Sequence, residues 1–136
     1  MAGDDTEHHP ADGWSVIPFA SQQAFESWLD DHHSEVPGLW LKFAKKNRGI
    51  PSIQFPEALE VAAFFGWVDS KLQRYDDDYY LLRYQLRRPK SSWSPRNRAL
   101  AERLAAAGRM RPAGLAQIEA AKRDGRWGRA RSSDRD

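Results

Sequence analysis

The stretch WVDSKLQRYDDDYYLLRYQLRR, residues 67–88, decides the fold. Two extended runs flank Asp76-Asp77-Asp78, whose short polar side chains suit a turn, so the stretch reads as a β-hairpin. In its second run Tyr80, Leu82, Tyr84 and Leu86 share one face; Tyr79, Leu81, Arg83, Gln85 and Arg87 share the other, more polar one. Upstream, GLWLKFAKK alternates in the same way, with Leu39, Leu41 and Phe43 opposite Trp40, Lys42 and Ala44, as a half-buried central strand does. WSVIPFAS is a shorter strand running up to Ser21, an N-cap for a helix carrying Phe25, Trp28 and Leu29 at helical spacing and stopping before Pro37-Gly38. Ala58, Leu59, Ala62, Ala63 and Phe65 predict a helix over about 56 to 65, closed by Gly66.

Beyond the hairpin the periodicity is helical. Ser94-Pro95 caps a helix through Leu100 and Leu104 to Gly108, and Pro112 opens another through Leu115, Ile118 and Ala121 to Gly125. The resulting order, β-α-β-α-β-β-α-α, predicts an α+β fold: a small antiparallel sheet with packed helices, ending in a helical hairpin. Residues 1–13 and 129–136 are polar and aperiodic, and read as a disordered acidic tail and a disordered basic tail around one domain at 14–128.

The 136 residues include six tryptophans and no cysteine, which suits a ring-filled core and excludes disulfides, thiolate zinc sites and cysteine nucleophiles. The polar, acidic N-terminus differs from a signal peptide, and no apolar run reaches membrane-spanning length, so the expectation is a cytoplasmic chain with no membrane insertion. The formal net charge of +2 hides a gradient. Residues 1–36 hold eight acidic side chains and no Lys or Arg, whereas residues 83–136 hold fifteen Lys or Arg and five acidic side chains. That asymmetry fits an anionic small molecule, a nucleic acid or a protein partner, and equally a solvated basic helix face.

Three constellations stand out. RRPKSSWSPRN, residues 87–97, sets Arg87, Arg88 and Lys90 before a helix start at Ser94, with Ser92 and Asn97 near it. Ser94 and Pro95 are explained by capping and Trp93 by packing back on the sheet; Arg83, Arg87, Arg88, Lys90, Ser92, Ser94 and Asn97 also make a candidate anion-binding site, because a helix N-terminus presents free N–H donors and partial positive charge. Lys42, Asp69 and Lys71 could join Arg83 and Arg87 on the polar sheet face, rimmed by Trp40, Trp67 and Tyr79, as in sheets that stack single-stranded bases; helix cover over Trp40 and Trp67 and an ion pair at Asp69 are the simpler account. The GRMR link at 108–111 admits a helix-turn-helix, although a plain αα-hairpin suits a second helix that is mostly Ala, Glu and Gln near its start and lacks interleaved base-reading side chains. His8-His9 and His32-His33 do not converge as metal ligands, because adjacent helical residues point about 100° apart. No nucleophile with its base, no phosphate loop and no cofactor motif occurs.

PSIQFPEALEVAAFFGWVDS, RRPKSSWSPRN and GRMRPAGLAQIEAAKRDGRW together resemble the bacterial YdeI/OmpD-associated family, also described as bacteriocin-protection proteins, from about Phe19 to Trp127. The resemblance rests on Glu57-Ala58, Gly66-Trp67-Val68-Asp69, Arg87-Arg88, Trp93-Ser94 with Asn97, Gly108, Met110, Gly114-Leu115 and Gly125-Arg126-Trp127. Ser70 stands where relatives often have glycine, and Gln85-Leu86 where they often have Thr-Pro. It implies a bacterial role in resistance to bacteriocins or antimicrobial peptides, with no reaction, cofactor or catalytic residue attached. The expectation is therefore a non-enzymatic domain binding an anion through Arg83, Arg87, Arg88, Lys90 and Ser94. The alternatives are an enzyme acting on a small anionic metabolite with Asp69 as general base, and a protein-interaction module; the oligomeric state stays open.

Overall fold

A computed structural model describes residues 6–132, tracing β1 (Glu7–His8), β2 (Ser15–Pro18), α1 (Gln22–His32), β3 (Gly38–Ala44), α2 (Phe55–Phe64), β4 (Trp67–Arg74), β5 (Tyr79–Leu86), α3 (Pro95–Ala106), α4 (Pro112–Arg123) and α5 (Arg126–Ser132). The fold is α+β, with the strands in one sheet of order β1-β2-β3-β5-β4. The hairpin forms as expected: β4 and β5 are antiparallel, and Asp76 Oδ1 closes the turn by accepting from the Asp78 and Tyr79 N–H groups, both at 2.9 Å. Helix starts follow the caps, with Ser21 accepting from Ala24 N–H at 3.1 Å and Ser94 from Asn97 N–H at 3.0 Å.

Two expectations change. The sheet is not wholly antiparallel, because β2 pairs in parallel with β3, Ile17 opposite Leu41. An 11-residue helix lies between these strands, and such a crossover returns the chain to the end from which it started. Residues 6–13 of the expected N-terminal tail are also not free. From Thr6 onward the chain is placed; Glu7–His8 pairs antiparallel with β2 and His9 is buried. Residues 1–5 and 133–136 of the two expected tails lie outside the described residues, while helix α5 takes up the start of the second.

The sheet has two unlike faces. On one, α1, α2 and α3 bury Phe25, Leu29, Val61 and Leu104 against Leu39, Leu41, Phe43, Leu82 and Tyr84. Removing these apolar groups from water supplies the main drive to fold, at roughly 25 cal/mol per Å2. On the other, Val16, Trp40 and Leu81 are covered by the segment from Glu7 to Trp14. A second core forms where α5 folds across the α3–α4 hairpin, joining Trp93, Ala101, Ile118, Ala121 and Trp127. No helix among the described residues is long and apolar enough to cross a membrane.

Candidate functional site

The loop from β5 to α3 draws its order from Arg87. Its Nη1 donates to Ser91 Oγ at 3.3 Å and to the Ser92 carbonyl at 3.0 Å, and the guanidinium lies 3.8 Å from the centre of the Trp93 ring. Arg87 is only 5% exposed, and among the described residues no carboxylate lies within ion-pair distance of it. A second buried guanidinium approaches from α5: Arg126 Nη1 donates to the Ser91 carbonyl at 2.9 Å while its Nε pairs with Asp124 at 2.8 Å. Burial, and then the charge of Arg126, lowers the Arg87 pKa to about 10. Trp93 packs into the helical core, edge-on to Trp127 with ring centres 5.0 Å apart, and not onto the sheet.

Around this buried pair the surface stays cationic. Arg88, Lys90 and Arg96 are exposed, and none has an ion-pair partner among the described residues. Lys90 holds a left-handed backbone, φ +67°, uncommon for a residue with a side chain. Capping by Ser94 satisfies Asn97 N–H, and Pro95 has no N–H, so Arg96 supplies the free donor of the first turn of α3. Asn97 and Arg87 line a small internal cavity with Trp67, Trp93 and Asp69; at about 20 Å3 it has room for a water-sized guest and not for a metabolite. The indole N–H groups of Trp67 and Trp93 are buried without an acceptor among the described residues.

The expected sheet-face cluster divides. Trp40 pairs across strands with Arg83, Lys42 with Leu81, and Lys71 with Arg83, so these share the face opposite α1 and α2. Asp69 does not join them. A bulge at Ser70 sets Asp69 beside Tyr84, on the helix face, and the alternation that would have placed Asp69 with Lys71 is broken. Arg83 is taken by Asp12 at 3.2 Å, by Gln85 and by the Trp14 ring, and so stands apart from the Arg87 corner. Trp40 lies under the N-terminal segment, while Trp67 lies with Trp28 on the helix face.

Asp69 is exposed on an edge strand, with no ion pair among the described residues, at the rim of an open groove of about 670 Å3 with Phe55, Leu72, Arg74 and Tyr80. Neither Arg83 nor Arg87 reaches that groove, so the expected base and its substrate holders do not assemble there. Among the described residues no three or more His, Asp or Glu side chains gather as a metal site. His33 Nδ1 donates to the Leu29 carbonyl at 2.8 Å, and His32 pairs with Glu35.

Sequence reasoning missed four contributors: Arg126, Glu7, His9 and Asp12. The last three lie in the presumed tail, where the excess of acidic residues was the available signal. Glu7 meets Lys42 at 4.0 Å and accepts from the Tyr75 hydroxyl at 2.8 Å, a bond that raises the Tyr75 pKa. The family model described as "Domain of unknown function (DUF8412)" matches residues 17–117. No curated protein and no solved structure matches the chain.

Proposed function

The chain therefore belongs to the DUF8412 family, and on the geometry of its basic corner we propose that it is a non-enzymatic domain that binds a phosphate-bearing anion at Arg88, Lys90 and Arg96, beside Ser94. One observation carries this reading. Several arginines elsewhere are answered by carboxylates, as Arg103 and Arg109 are by Glu60 and Arg111 is by Glu26 with Asp30, while Arg74 and Arg123 stand singly among the described residues. At residues 87–96 four cationic side chains cluster within ten positions and meet none among the described residues. Arg87 holds the loop from beneath, Ser92 and Asn97 flank it, and the Arg96 N–H points from the start of a 12-residue helix, where partial positive charge favours an anion. The resemblance to the YdeI/OmpD-associated family supports a resistance-associated setting for such binding.

Isothermal titration with inorganic pyrophosphate tests the assignment. The triple variant Arg88→Ala/Lys90→Ala/Arg96→Ala is expected to weaken binding by about ten-fold or more at low salt, since a charge-assisted contact contributes about 1.5–3 kcal/mol. Equal affinity in the variant would remove the corner from consideration. A short single-stranded oligonucleotide bound there would instead show affinity falling steeply with salt.

A further inference from the structure

The face of the sheet away from the helices is built like a base-stacking platform, and the segment covering it is built like the ligand. Trp40 lies in the middle strand of the five, with Lys42 two residues along and Arg83 directly across on β5. Lys42 in turn sits 4.3 and 4.6 Å from the Tyr75 and Tyr79 ring centres. A flat ring between two cations, on a sheet, is the arrangement that holds single-stranded nucleic acid by stacking and phosphate contact.

The covering strap reproduces each part of such a ligand. The His9 ring stacks on Trp40 with centres 4.1 Å apart and planes 11° from parallel, as a base would. The edge of that ring is read by Gln73, whose Oε1 lies 3.1 Å from His9 Nε2, while Nδ1 accepts from Ala11 N–H at 3.0 Å. On one side Asp12 gives its carboxylate to Arg83 at 3.2 Å and to the Trp40 indole N–H at 3.1 Å; on the other Glu7 gives its carboxylate to Lys42. Two anions thus flank one stacked ring, in the places phosphates would take.

The strap is also lightly held. Its pairing to β2 extends over two residue pairs, Glu7 with Val16 and His8 with Ser15, and both β1 residues are exposed. Between Thr6 and Gly13 it has no side chain more apolar than Pro10 and Ala11, so charge and stacking hold it, not a hydrophobic anchor. We propose that the face bearing Trp40, Lys42 and Arg83 binds a short single-stranded nucleic acid, and that residues 7–12 occupy this site as an autoinhibitory mimic which the ligand displaces. This site is separate from the corner at Arg88 and Lys90.

The test is fluorescence anisotropy of the full chain with a fluorescein-labelled oligothymidylate of about ten nucleotides. Glu7→Gln/Asp12→Asn, which removes the two mimic charges, is expected to bind about ten-fold more tightly than the unaltered chain, within the range one base stack supplies. Asp31→Asn/Asp77→Asn makes the same charge change elsewhere and should give no such gain. Adding Lys42→Gln to the strap variant should abolish the gain, whereas adding Arg88→Ala/Lys90→Ala should leave it. Thermal melts confirm that each variant is folded. A folded strap variant with no gain overturns the proposal, as does an equal gain in the charge control or a gain that depends on Arg88 and Lys90. Concentration-dependent dimers without oligonucleotide binding would likewise overturn it, by giving the platform to the strap of a second copy.

Discussion

Arg87 keeps its charge almost wholly buried, and what it gains in return is a hydroxyl, a carbonyl and an indole face. Neutral partners offset only part of the cost of desolvating a guanidinium, and the nearby Arg126 adds repulsion, which is why the pKa falls to about 10. A side chain kept only for packing would be better uncharged. Arg87→Met retains the aliphatic contact with Trp93 and removes the charge, so it is expected to leave stability unchanged or raise it by about 1–2 kcal/mol, read by urea denaturation. Arg87→Ala loses the packing as well and is expected to lower stability by about 1–3 kcal/mol. If Met destabilised as much as Ala, the charge would be contributing to the fold itself. The sequence placed Arg87 in the candidate site but could not supply its neighbour, because Arg126 reaches Ser91 across 35 residues and only after α5 folds back.

Among the elements, α4 is set by a single absent side chain. A Cβ at Gly114 would stand 2.3 Å from the Phe64 carbonyl oxygen, an oxygen that also accepts from the Arg111 N–H at 3.0 Å as α4 begins. Backbone cannot move aside as a flexible side chain can. Gly114→Ala is therefore expected to destabilise by about 1–3 kcal/mol despite its better helix propensity, and a thermal melt of that variant above the parent would refute the close approach. The elements themselves were legible: Ser21, Ser94, Pro95 and Pro112 mark helix starts by chemistry that acts within one turn, and Asp76 marks the hairpin in the same local way. What lay beyond reach was the relation between elements. The Ser70 bulge reverses which face Asp69 takes, and no local signal in WVDSKLQR announces it, since Asp69, Lys71 and Gln73 alternate without a break.

At the scale of the whole molecule, the charge gradient along the chain becomes a contact in space: the acidic N-terminal segment lies on cations of β3 and β5. The composition showed the gradient but not that its acidic end folds onto the sheet, because a segment with so little apolar content gives no periodicity to read. Asp12 is the tightest part of that contact. Burial raises its pKa, but hydrogen bonds from the Trp14 N–H, the Trp40 indole and Arg83, together with the charge of Arg83, outweigh this and hold it below 3.8. A depressed carboxylate stabilises the closed strap in full above its free value, and the contribution is lost as pH falls through the lower, bound value. The strap is accordingly expected to stay closed from neutral pH to about pH 4 as far as Asp12 is concerned, and to loosen below that, with Trp40 gaining exposure to an acrylamide quencher. Lys42, Glu7, His9 and Arg83 face the same contact, so the Asp12 step must be isolated. Asp12→Asn does this: it keeps the shape and removes the titration, so its quenching should already be raised at neutral pH and change little below pH 4. An acid step of equal size in the Asn variant would assign the loosening to another group, and an unchanged neutral baseline would mean that the Asp12 charge does not hold the strap.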